Sequence, residues 1–596
     1  MKYALLSVFN KHNIEYLAYR LARAGYTILS TGGTAKSITN GGINIKVKEI
    51  SSFTGFPEIL EGRVKTLHPV VMGSILQKNI QDGQNLTLPE GSQKLVDLDV
   101  VVVNLYPFEE CLKTDPNNTD KLIENIDIGG ITLLRAAAKN YKRVNVLSSP
   151  EQYSYFCNEL ENDRISNETE KSLEYRKQLA FDAFKTTSNY DSRISEWFSN
   201  GRLEVRHYIQ DSKLKYGCNP HQQPSSTYHP NNVNSFLEVL NGNPGYINYL
   251  DSWGCWNLVN DVWYSLNKVC ACSFKHTSPA GVALSGDILT EHEINNFVVK
   301  NELGNEINMS EAGRAYIRAR NCDPKSSFGD FIGVNDVVDV HFAKYLKTCV
   351  TDGIVALDYT PEALEILKSK KNGQFIIIKG KRFNPTEFNY NEIRDLGGLV
   401  LSQKNNNYLI SKEKIRDAEL TVEHSNIVED TILGMTTLKY TQSNSTCFVY
   451  DGNVIGIGAG QQNRVDCVKL AREKSKIWLY RLLGDNFPNK KEVLDFDNKN
   501  YKSISERVNM IYDTLENSLF TENSKIKSLM DEQKNQALTL CSDGFFPFSD
   551  SVEQAIKIGT KSVVHPGGSN ADPIIDQFCN DNKLNIIKLG YRYFYH

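Results

Sequence analysis

Hydrophobic positions in the first 200 residues alternate between the spacing of strands and that of helices. A continuous apolar run from Tyr3 to Phe9 predicts a buried strand, and Tyr26 to Ser30 predicts a second. Between them, apolar side chains recur three and four positions apart, as on one face of a helix: Ile14, Leu17, Ala18, Leu21 and Ala22. Val100 to Val103 is again uninterrupted, which is typical of a central strand covered on both faces. Strands that alternate with helices favour an α/β fold with a parallel sheet.

The pattern changes at residues 199–212, which are polar and show no periodicity. We predict a linker there, between a first domain at 1–198 and a second at 213–596. The second domain is a larger α/β region with repeated Gly-rich turns, in which the sequence reveals no internal repeat. Asn- and Lys-rich stretches are interpreted as surface insertions near 283–312, 380–392 and 484–505.

The 596 residues are too many for a single hydrophobic core, which agrees with at least two domains. There are 67 basic and 71 acidic residues, giving a formal net charge of -4. Because no basic excess is available to neutralise phosphates or anionic lipids, the composition argues against a general nucleic-acid or membrane-surface binder. No apolar run approaches the roughly 20 residues that cross a bilayer, and the first residues predict a strand, not a signal peptide.

The 12 cysteines are scattered, with a tight spacing only at Cys270 and Cys272. The sequence contains no CxxC pair and no HExxH motif, so a structural zinc site is not expected. Scattered cysteines in a large chain are typical of reduced thiols. We therefore predict a cytoplasmic protein.

Two stretches of the first domain carry candidate anion-binding groups. Thr31-Gly32-Gly33-Thr34 follows a predicted strand and opens a helix, where backbone N–H groups attract an anion. On its own, such a turn is more often just a tight connection. Gly62 to His68 places a guanidinium, an ammonium and a hydroxyl within four positions, at Arg63, Lys65 and Thr66.

A double glycine after Asp127 begins a strongly helix-forming segment that ends near Lys139. An aspartate in that position either accepts a proton in catalysis or caps the helix. Lys139 lies about three turns along the helix, where it is either catalytic or simply solvated.

The most informative stretch of the second domain runs from Ser273 to Gly281. It sets Lys275 and His276 side by side at the end of a Cys-, Val- and Ala-rich run, and then turns through Pro279. Imidazole titrates near neutrality and a desolvated lysine is lowered toward it, so the two are a candidate proton-transfer pair. The alternative is a solvated lysine beside a turn histidine.

Further glycine-rich and polar motifs follow in the second domain, at Leu214–Gln222, Leu240–Gly242, Ser326–Phe331, Lys439–Asn444, Gly456–Arg464, Asp543–Phe548 and Pro566–Ser569. The GxGxG from Gly456 to Gly460 lacks the GxGxxG spacing of dinucleotide-binding enzymes, so a dehydrogenase is rejected. Taken together, the motifs of both domains resemble the bifunctional AICAR transformylase/IMP cyclohydrolase family. The resemblance covers essentially the whole chain.

That resemblance implies an N-terminal methylglyoxal-synthase-like domain with a parallel sheet. It also implies a C-terminal transformylase region of two cytidine-deaminase-like α/β subdomains without the deaminase zinc motif. The implied reactions are transfer of formyl from 10-formyltetrahydrofolate to AICAR, and dehydration and cyclisation of formyl-AICAR to IMP. A homodimer, a structural potassium ion with unknown ligands and no catalytic metal are implied as well. The expected partners are these nucleotides and the folate, with no nucleic acid and no membrane.

By motif position, the resemblance implies the cyclohydrolase site in the first domain. The implied binding residues are Lys11, Thr31, Gly33, Thr34, Arg63, Thr66, Asn104 and Gly129, and the implied catalytic residues are Lys65, Tyr106, Asp127 and Lys139. Ring closure builds charge on a carbonyl oxygen, which the lysines and the tyrosine would stabilise. Asp127 would accept the proton of the attacking nitrogen.

The same resemblance implies that Lys275, His276 and Asn444 are the catalytic residues of the second domain. His276 would take the proton of the amine, Lys275 would assist the leaving folate nitrogen, and Asn444 would orient the formyl oxygen or the imidazole. The implied binding residues are Lys215, Tyr216, Gly329, Asp352, Arg464, Phe545, Asp550 and Arg592. Phe545 would stack on the base, and Asp550 would lie near the folate.

Three positions depart from the family pattern. Phe9 replaces a hydroxyl residue of the nucleotide pocket, Met72 stands where histidine is common, and Lys215 replaces an arginine. Lysine keeps the charge but loses the planar guanidinium, so we expect a higher Michaelis constant for AICAR. A chain with only an efficient transformylase, or a weak nucleotide-binding protein, would lack catalytic residues of one domain, and all of them are present.

Overall fold

The structure is a computed structural model. It describes residues 2–42, 45–79, 81, 93–162, 169–230, 235–290, 293–294, 309–388, 390–416, 426–483, 526–527, 530 and 536–596. The chain divides into two units, Met1–His207 and Tyr208–His596, which are described separately. The predicted insertion at 484–505 lies outside the described residues, and so does 295–308 within the one at 283–312.

The first unit alternates strands and helices from its first described residue. Its strands are β1 (Lys2–Val8), β2 (Tyr26–Ser30), β3 (Val47–Glu49), β4 (Asp97–Asn104) and β5 (Asn145–Leu147). Its helices are α1 (Ile14–Arg23), α2 (Gly32–Asn40), α3 (Ile50–Thr54), α4 (Pro69–Leu76), α5 (Phe108–Thr114), α6 (Thr119–Glu124), α7 (Gly129–Lys139), α8 (Tyr153–Glu161) and α9 (Glu170–Phe198).

All five strands of this unit are parallel, in the order β3-β2-β1-β4-β5. Val100 to Val103 are buried in β4, which pairs with β1 and β5, as the uninterrupted apolar run predicts. On α1, the buried side chains are Ile14, Leu17, Ala18 and Leu21. The prediction of a parallel α/β domain is confirmed.

The boundary between the units falls inside the predicted linker of 199–212. Helix α9 ends at Phe198, but the next strand, β6, already begins at Tyr208 and runs to Leu214. Its backbone pairs antiparallel with β7 (Ser225–Pro230). Residues 208–212 are mostly exposed there, which explains why they show no hydrophobic periodicity, and the linker prediction is too long at this end.

The second unit has a further thirteen strands and nine helices in its described residues. The strands are β8 (Leu237–Asn241), β9 (Cys270–Lys275), β10 (Ser278–Leu284), β11 (Asp330–Val338), β12 (Thr351–Tyr359), β13 (Ile376–Gly380), β14 (Asn391–Asp395), β15 (Val400–Lys404), β16 (Thr446–Tyr450), β17 (Asn453–Gly458), β18 (Thr539–Ser542), β19 (Ser562–His565) and β20 (Asn585–Lys588). The helices are α10 (Tyr246–Leu266), α11 (Glu311–Cys322), α12 (Val340–Thr348), α13 (Pro361–Lys368), α14 (Lys412–Arg416), α15 (Ile427–Lys439), α16 (Arg464–Leu483), α17 (Asp550–Ile556) and α18 (Asp572–Asp581).

Eleven of these strands form one sheet, in the order β20-β19-β18-β16-β17-β10-β9-β11-β12-β13-β8. Apolar side chains pack on both faces of it. Along β9, Cys270, Cys272 and Phe274 join one buried cluster and Ala271 joins the other, which is the two-residue alternation of a strand. The pairs β6–β7 and β14–β15 are separate two-stranded sheets.

This sheet contains an internal repeat that the sequence does not reveal. Each half begins with a helix (α10, α15), continues with an antiparallel hairpin (β9–β10, β16–β17) and a second helix (α11, α16), and ends with three parallel strands. The halves join where β10 pairs antiparallel with β17, through Ala283 and Asn453. The repeat lies in the order and direction of the elements, so a search for similar residues misses it.

Candidate active sites

In the first unit, the predicted residues gather at the carboxyl ends of the parallel strands. Lys11 follows β1, Thr31 to Thr34 follow β2, and Tyr106 follows β4. The chain moves from β1 to β2 on one side and later returns to place β4 on the other. Such a reversal opens a crevice beyond the strand ends, and this is where open α/β sheets bind ligands.

Two lysines lie close together in this crevice. Burial, and then repulsion from Lys65, lowers the pKa of the Lys11 ammonium. The Lys11 ammonium donates to the carbonyl oxygens of Val8 and Phe9, and Lys65 Nζ lies 3.8 Å from Glu58 Oε1. Two neighbouring ammonium groups provide the positive charge that a phosphate requires.

Asp127 lies between these cations and the start of α7. Its Oδ1 accepts the Gly130 N–H at 2.6 Å, and its own N–H donates to the Tyr190 hydroxyl at 2.9 Å. Burial raises the pKa of the Asp127 carboxyl, while N–H groups of Gly130 and Tyr106 and the charge of Lys65 act in the opposite direction. Asp127 therefore caps the first turn of the helix and is also a partly desolvated carboxyl, and its role as a catalytic base stays a prediction.

Tyr106 faces the same carboxylate. Burial, followed by the negative charges of Asp127 and Glu58, raises the pKa of its phenol. Its ring packs edge-on against Phe9, with centroids 5.7 Å apart. Phe9, which replaces a hydroxyl residue of the family pattern, thus places an apolar ring against Tyr106, a predicted catalytic residue. The Phe9 side chain is 48% exposed.

Two residues predicted to bind the nucleotide form hydrogen bonds with the protein's own backbone in this structure. Asn104 Oδ1 accepts the N–H groups of Phe9 and Asn10 at 2.6 and 2.8 Å, and its Nδ2 donates to Asn10 O. Thr34 Oγ1 accepts from Val8 N and donates to Val8 O. Through these hydrogen bonds both residues shape the loop after β1, and their role in binding the nucleotide stays a prediction.

The other predicted binding residues of this unit lie around the same crevice. A Cβ built on Gly33 meets no atom within 4 Å, so the space in front of α2 is open. Thr66 is buried, with its hydroxyl 2.9 Å from a Cβ built on Gly129. Arg63 forms an exposed ion pair with Glu124, and the Thr31 hydroxyl lies 3.4 Å from Ser7 Oγ.

Lys139 does not join this site within one chain. It is the last residue of the 11-residue helix α7, whose first turn Asp127 caps. At 1.5 Å per residue, the two ends are about 15 Å apart. Lys139 instead lines a surface groove with Met72, Arg135 and Phe181. Lys139 and Met72, the position where the family commonly has histidine, therefore lie together in this groove and not in the crevice.

In the second unit, strand direction brings the remaining predicted residues to one edge of the sheet, which we call the Lys275 edge. β9 ends at this edge and the antiparallel β11 begins there, as does β12, which is parallel to β11. Because the halves join antiparallel, the second half contributes the start of β16 and the carboxyl ends of β17, β18, β19 and β20. The predicted residues at this edge are Lys275, His276, Gly329, Asp352, Asn444, Arg464, Phe545 and Arg592.

The predicted catalytic pair forms the end of β9 and its turn. Lys275 is partly buried, and its ammonium donates to Phe328 O at 2.8 Å. His276 is exposed. Gln442 N donates to Ser278 Oγ at 3.5 Å, which holds the segment before Asn444 against the hairpin that carries this pair.

Arg464 holds Asn444 in place. Its guanidinium donates to Asn444 Oδ1 at 2.9 Å and to Ser445 O at 3.2 Å, and it forms an ion pair with the fully buried Asp543. The Arg464 side chain is 7% exposed. In this structure the Arg464 guanidinium orients Asn444, and its role as an anion ligand stays a prediction.

The other predicted binding residues of this unit are exposed or partly exposed. Asp352 pairs with Lys371 at 2.8 Å, Phe545 is 38% exposed, and Asp550 begins α17. The exposed Arg592 guanidinium lies 5.2 Å from the ring of Phe594. Gly329 has a φ of 76° and open space beside it, so a ligand can approach its backbone.

Lys215 and Tyr216 follow β6, in the small β6–β7 sheet. The Lys215 ammonium lies 5.8 Å from the Tyr216 ring centroid. Burial raises the pKa of Tyr249 on α10, and the charge of Asp211 in β6 raises it further. The small sheet therefore lies near the start of that helix.

A buried network supports the Lys275 edge, and sequence reasoning missed it. Asp330 accepts from Ser273 Oγ at 2.7 Å, from Tyr316 at 2.9 Å and from Arg320 at 3.2 Å. Ser273 Oγ also lies 2.7 Å from Ser327 Oγ. These contacts fix the Ser326–Phe331 motif below Lys275, and a polar Ser273 within an apolar run was the only available signal.

Within the described ranges, we find no group of three or more His, Cys, Asp and Glu side chains that could hold a metal ion. Of the helices that the structure describes, none is both long and apolar enough to span a bilayer.

Comparison with known proteins connects both units to one group of proteins. A family model described as "AICARFT/IMPCHase bienzyme" matches residues 137–474, and one described as "MGS-like domain" matches 13–132. The bifunctional purine biosynthesis protein PurH of Aquifex aeolicus (strain VF5) is 34% identical over 603 residues, covering 100% of both chains. PurH of Elusimicrobium minutum (strain Pei191) is 32% identical over 609 residues, covering 100% of this chain and 99% of the relative. PurH of Clostridium botulinum (strain Kyoto / Type A2) is 33% identical over 606 residues, covering 100% of both.

Proposed function

The chain belongs to the AICARFT/IMPCHase bienzyme family, and from this premise we propose how its residues divide the work. It is a bifunctional enzyme of purine biosynthesis, with AICAR formyltransferase and IMP cyclohydrolase activities. The second unit forms formyl-AICAR from AICAR and 10-formyltetrahydrofolate. The first unit closes the ring to give IMP and water.

For the cyclohydrolase step, the carboxamide nitrogen of formyl-AICAR attacks the formyl carbon. Asp127 takes the proton of that nitrogen, because a carboxylate whose pKa is raised by burial is a stronger base than an exposed one. Lys65 and Tyr106 donate to the formyl oxygen as it gains negative charge. That oxygen receives the proton taken by Asp127 and the proton of the formamide N–H, and it leaves as water as the C=N bond of the ring forms. Lys11, with Lys65, attracts the phosphate.

For the transformylase step, the amine of AICAR attacks the formyl carbon of the folate. His276 takes the amine proton, Lys275 donates to the folate nitrogen as its bond to the formyl carbon breaks, and Asn444 orients the formyl oxygen. The observation that supports this division is that Gln442 and Ser278 join the Asn444 segment to the hairpin carrying Lys275 and His276.

The experiment supplies AICAR and 10-formyltetrahydrofolate, and follows tetrahydrofolate and IMP separately. Lys275→Ala should abolish most tetrahydrofolate release and leave the conversion of added formyl-AICAR to IMP intact. Lys65→Ala should do the reverse, so each variant is the folding control of the other. Folate turnover that survives in Lys275→Ala contradicts the transformylase assignment.

Lys139 and the predicted homodimer are tested together. Because Lys139 is about 15 Å from Asp127 along α7, its ammonium reaches a reacting group only from a second copy of the chain. Mixing inactive Lys139→Ala with inactive Asp127→Asn should then restore IMP formation in the mixed dimers. If each variant is inactive and the mixture stays inactive, the shared site is wrong.

The oxygen atoms around Asp543 fit the potassium ion that the family implies. Asp543 Oδ2 accepts from the hydroxyls of Ser443 and Ser445, and carboxylate and hydroxyl oxygens are ligands for a hard cation. Such an ion would fix the chain around Asn444. Replacing potassium by a large organic cation should lower the melting temperature of the protein, and Ser443→Ala should remove that difference.

A further inference from the structure

The turn that carries His276 has an unfavourable backbone. β9 and β10 are joined by two residues, and φ is 54° at His276 and 59° at Thr277. Two-residue hairpin turns with positive φ at both positions favour Asn-Gly or Asp-Gly. A β-branched residue such as Thr277 is a genuine outlier in this region, so something else must hold the turn.

A buried carboxylate on the neighbouring helix holds it. Asp251 of α10 is 6% exposed, and its Oδ1 accepts the N–H of Thr277 at 2.8 Å. Three residues later, a Cβ built on Gly254 would lie 2.8 Å from the Phe274 ring. The missing side chain lets α10 approach β9, and this brings Asp251, on the same helix face, to the turn.

The charge of Asp251 also acts on the imidazole. Burial raises the pKa of the Asp251 carboxyl, the Thr277 N–H and the charge of His276 lower it, and Asp352 raises it. Asp352 is itself paired with Lys371 at 2.8 Å. The adjacent Lys275 donates to Phe328 O, and the buried Cys255 thiol also lies within the electrostatic range of Asp251.

We propose that Asp251 is a positioning residue of the transformylase step: by accepting the Thr277 N–H it fixes the His276–Thr277 turn, and with it the place of the imidazole beside Lys275. This rests on the proposed role of His276. Asp251 reaches the reaction only through that turn, since its hydrogen bond goes to the backbone of Thr277 and not to a ligand-facing atom.

The other half of the sheet offers a matched control. Asp430 of α15 is fully buried and accepts the N–H groups of Gly452 and Asp451 at 2.7 and 3.1 Å, in the turn between β16 and β17. Asp430 therefore holds the turn of its hairpin through backbone N–H groups, as Asp251 does in the first hairpin. Its hairpin, however, ends at the opposite edge of the sheet and carries no histidine.

The test compares Asp251→Ala and Asp251→Asn with the matched Asp430→Ala. Alanine removes the acceptor of the Thr277 N–H, whereas asparagine keeps one. We expect the transformylase kcat of Asp251→Ala to fall roughly tenfold or more, with the Michaelis constant for AICAR nearly unchanged, and Asp251→Asn to recover most of that loss. Asp430→Ala should leave kcat nearly unchanged, and IMP formation from added formyl-AICAR should persist in all three.

The outcomes separate a positioning role from a structural one. If Asp251→Ala loses stability but keeps its kcat, or if Asp251→Ala and Asp430→Ala lose kcat equally, the proposal is overturned. If Asp251→Ala folds poorly, the double variant with Thr277→Gly relieves the backbone strain, and its kcat should still be lower than that of Thr277→Gly alone. If His276→Ala itself retains transformylase activity, the proposed function fails and not this inference alone.

Discussion

The β9–β10 and β16–β17 hairpins of the second unit have the same kind of turn but form it with different residues. Both are closed by two residues of positive φ, and in both a buried aspartate from the preceding helix accepts the N–H groups of the turn. The second hairpin uses Asp451-Gly452, a sequence that favours this turn. The first uses His276-Thr277, which opposes it.

The difference shows where function overrides local preference. Strain of order 1–3 kcal/mol per unfavourable residue persists when the surroundings impose it, and it tends to occur at active sites. The second hairpin, which has no assigned chemistry, retains the low-strain sequence. The first hairpin keeps His276 at the turn despite its cost, since only there does the imidazole stand beside Lys275 at the sheet edge.

The pairing of β10 with β17 explains why only one of the two hairpin turns lies at the Lys275 edge. Because these strands are antiparallel, the two turns lie at opposite edges. The Lys275 edge therefore combines the starts of β11 and β12 with the ends of β18 and β20. The candidate site therefore combines strand starts from the first half of the repeat with strand ends from the second.

The largest expected difference concerns the turn residues themselves. His276→Ala should lower the transformylase rate by roughly 10²–10⁴-fold, the usual contribution of a general base. Asp451→Asn, at the matching position, should leave it nearly unchanged, because asparagine tolerates positive φ. Tetrahydrofolate release measures both. Equal losses in the two variants would mean that the hairpins do not differ in function.

The next difference concerns strain. Thr277→Gly should stabilise the second unit by about 1 kcal/mol, since relief of the turn exceeds the added entropy of the unfolded chain. Gly452→Thr should destabilise it by about 2 kcal/mol. A Cβ at Gly452 would meet Leu284 only at 3.4 Å, so the cost is conformational and not steric. The urea unfolding midpoints of both variants measure these changes in stability. If Thr277→Gly destabilises the protein, the turn at Thr277 is not strained.

Sequence patterns predicted much of the first unit because its elements are local. The β2 strand is observed at the predicted Tyr26–Ser30, and α7 begins directly after Asp127 and Ile128. The patterns did not predict that Asn104 and Thr34 serve the backbone after β1, or that Lys139 lies at the far end of its helix. Those facts depend on which atoms face each other, and residue spacing does not contain that information.

In the second unit, Lys275 and His276 were singled out from sequence, but the turn was expected at Pro279. It is formed by His276 and Thr277, and Pro279 lies inside β10. The residues that support the turn were not predicted. Asp251 and Asp330 are each one of several polar residues in their helical or strand segments, and their partners are 26 and 57 positions away. Asp451-Gly452 between two apolar runs is a hairpin signal in the sequence, whereas His276-Thr277 is not, so the likeness of the two halves shows only in the structure.

The smallest difference concerns the two aspartates under the turns. Burial raises the pKa of Asp430 to about 8, far above that of an aspartate in the unfolded chain. Between these values the folded protein holds a proton that the unfolded chain releases, so this group's stabilisation falls as pH rises and is gone above pH 8. From pH 7 to pH 9, the loss should be about 1 kcal/mol, and Asp430→Asn should abolish it. Asp251 has the charge of His276 beside it, which opposes the effect of burial. Asp251→Asn should therefore change the pH dependence of stability less than Asp430→Asn, and the reverse order in urea titrations would show that the imidazole does not stabilise the Asp251 carboxylate.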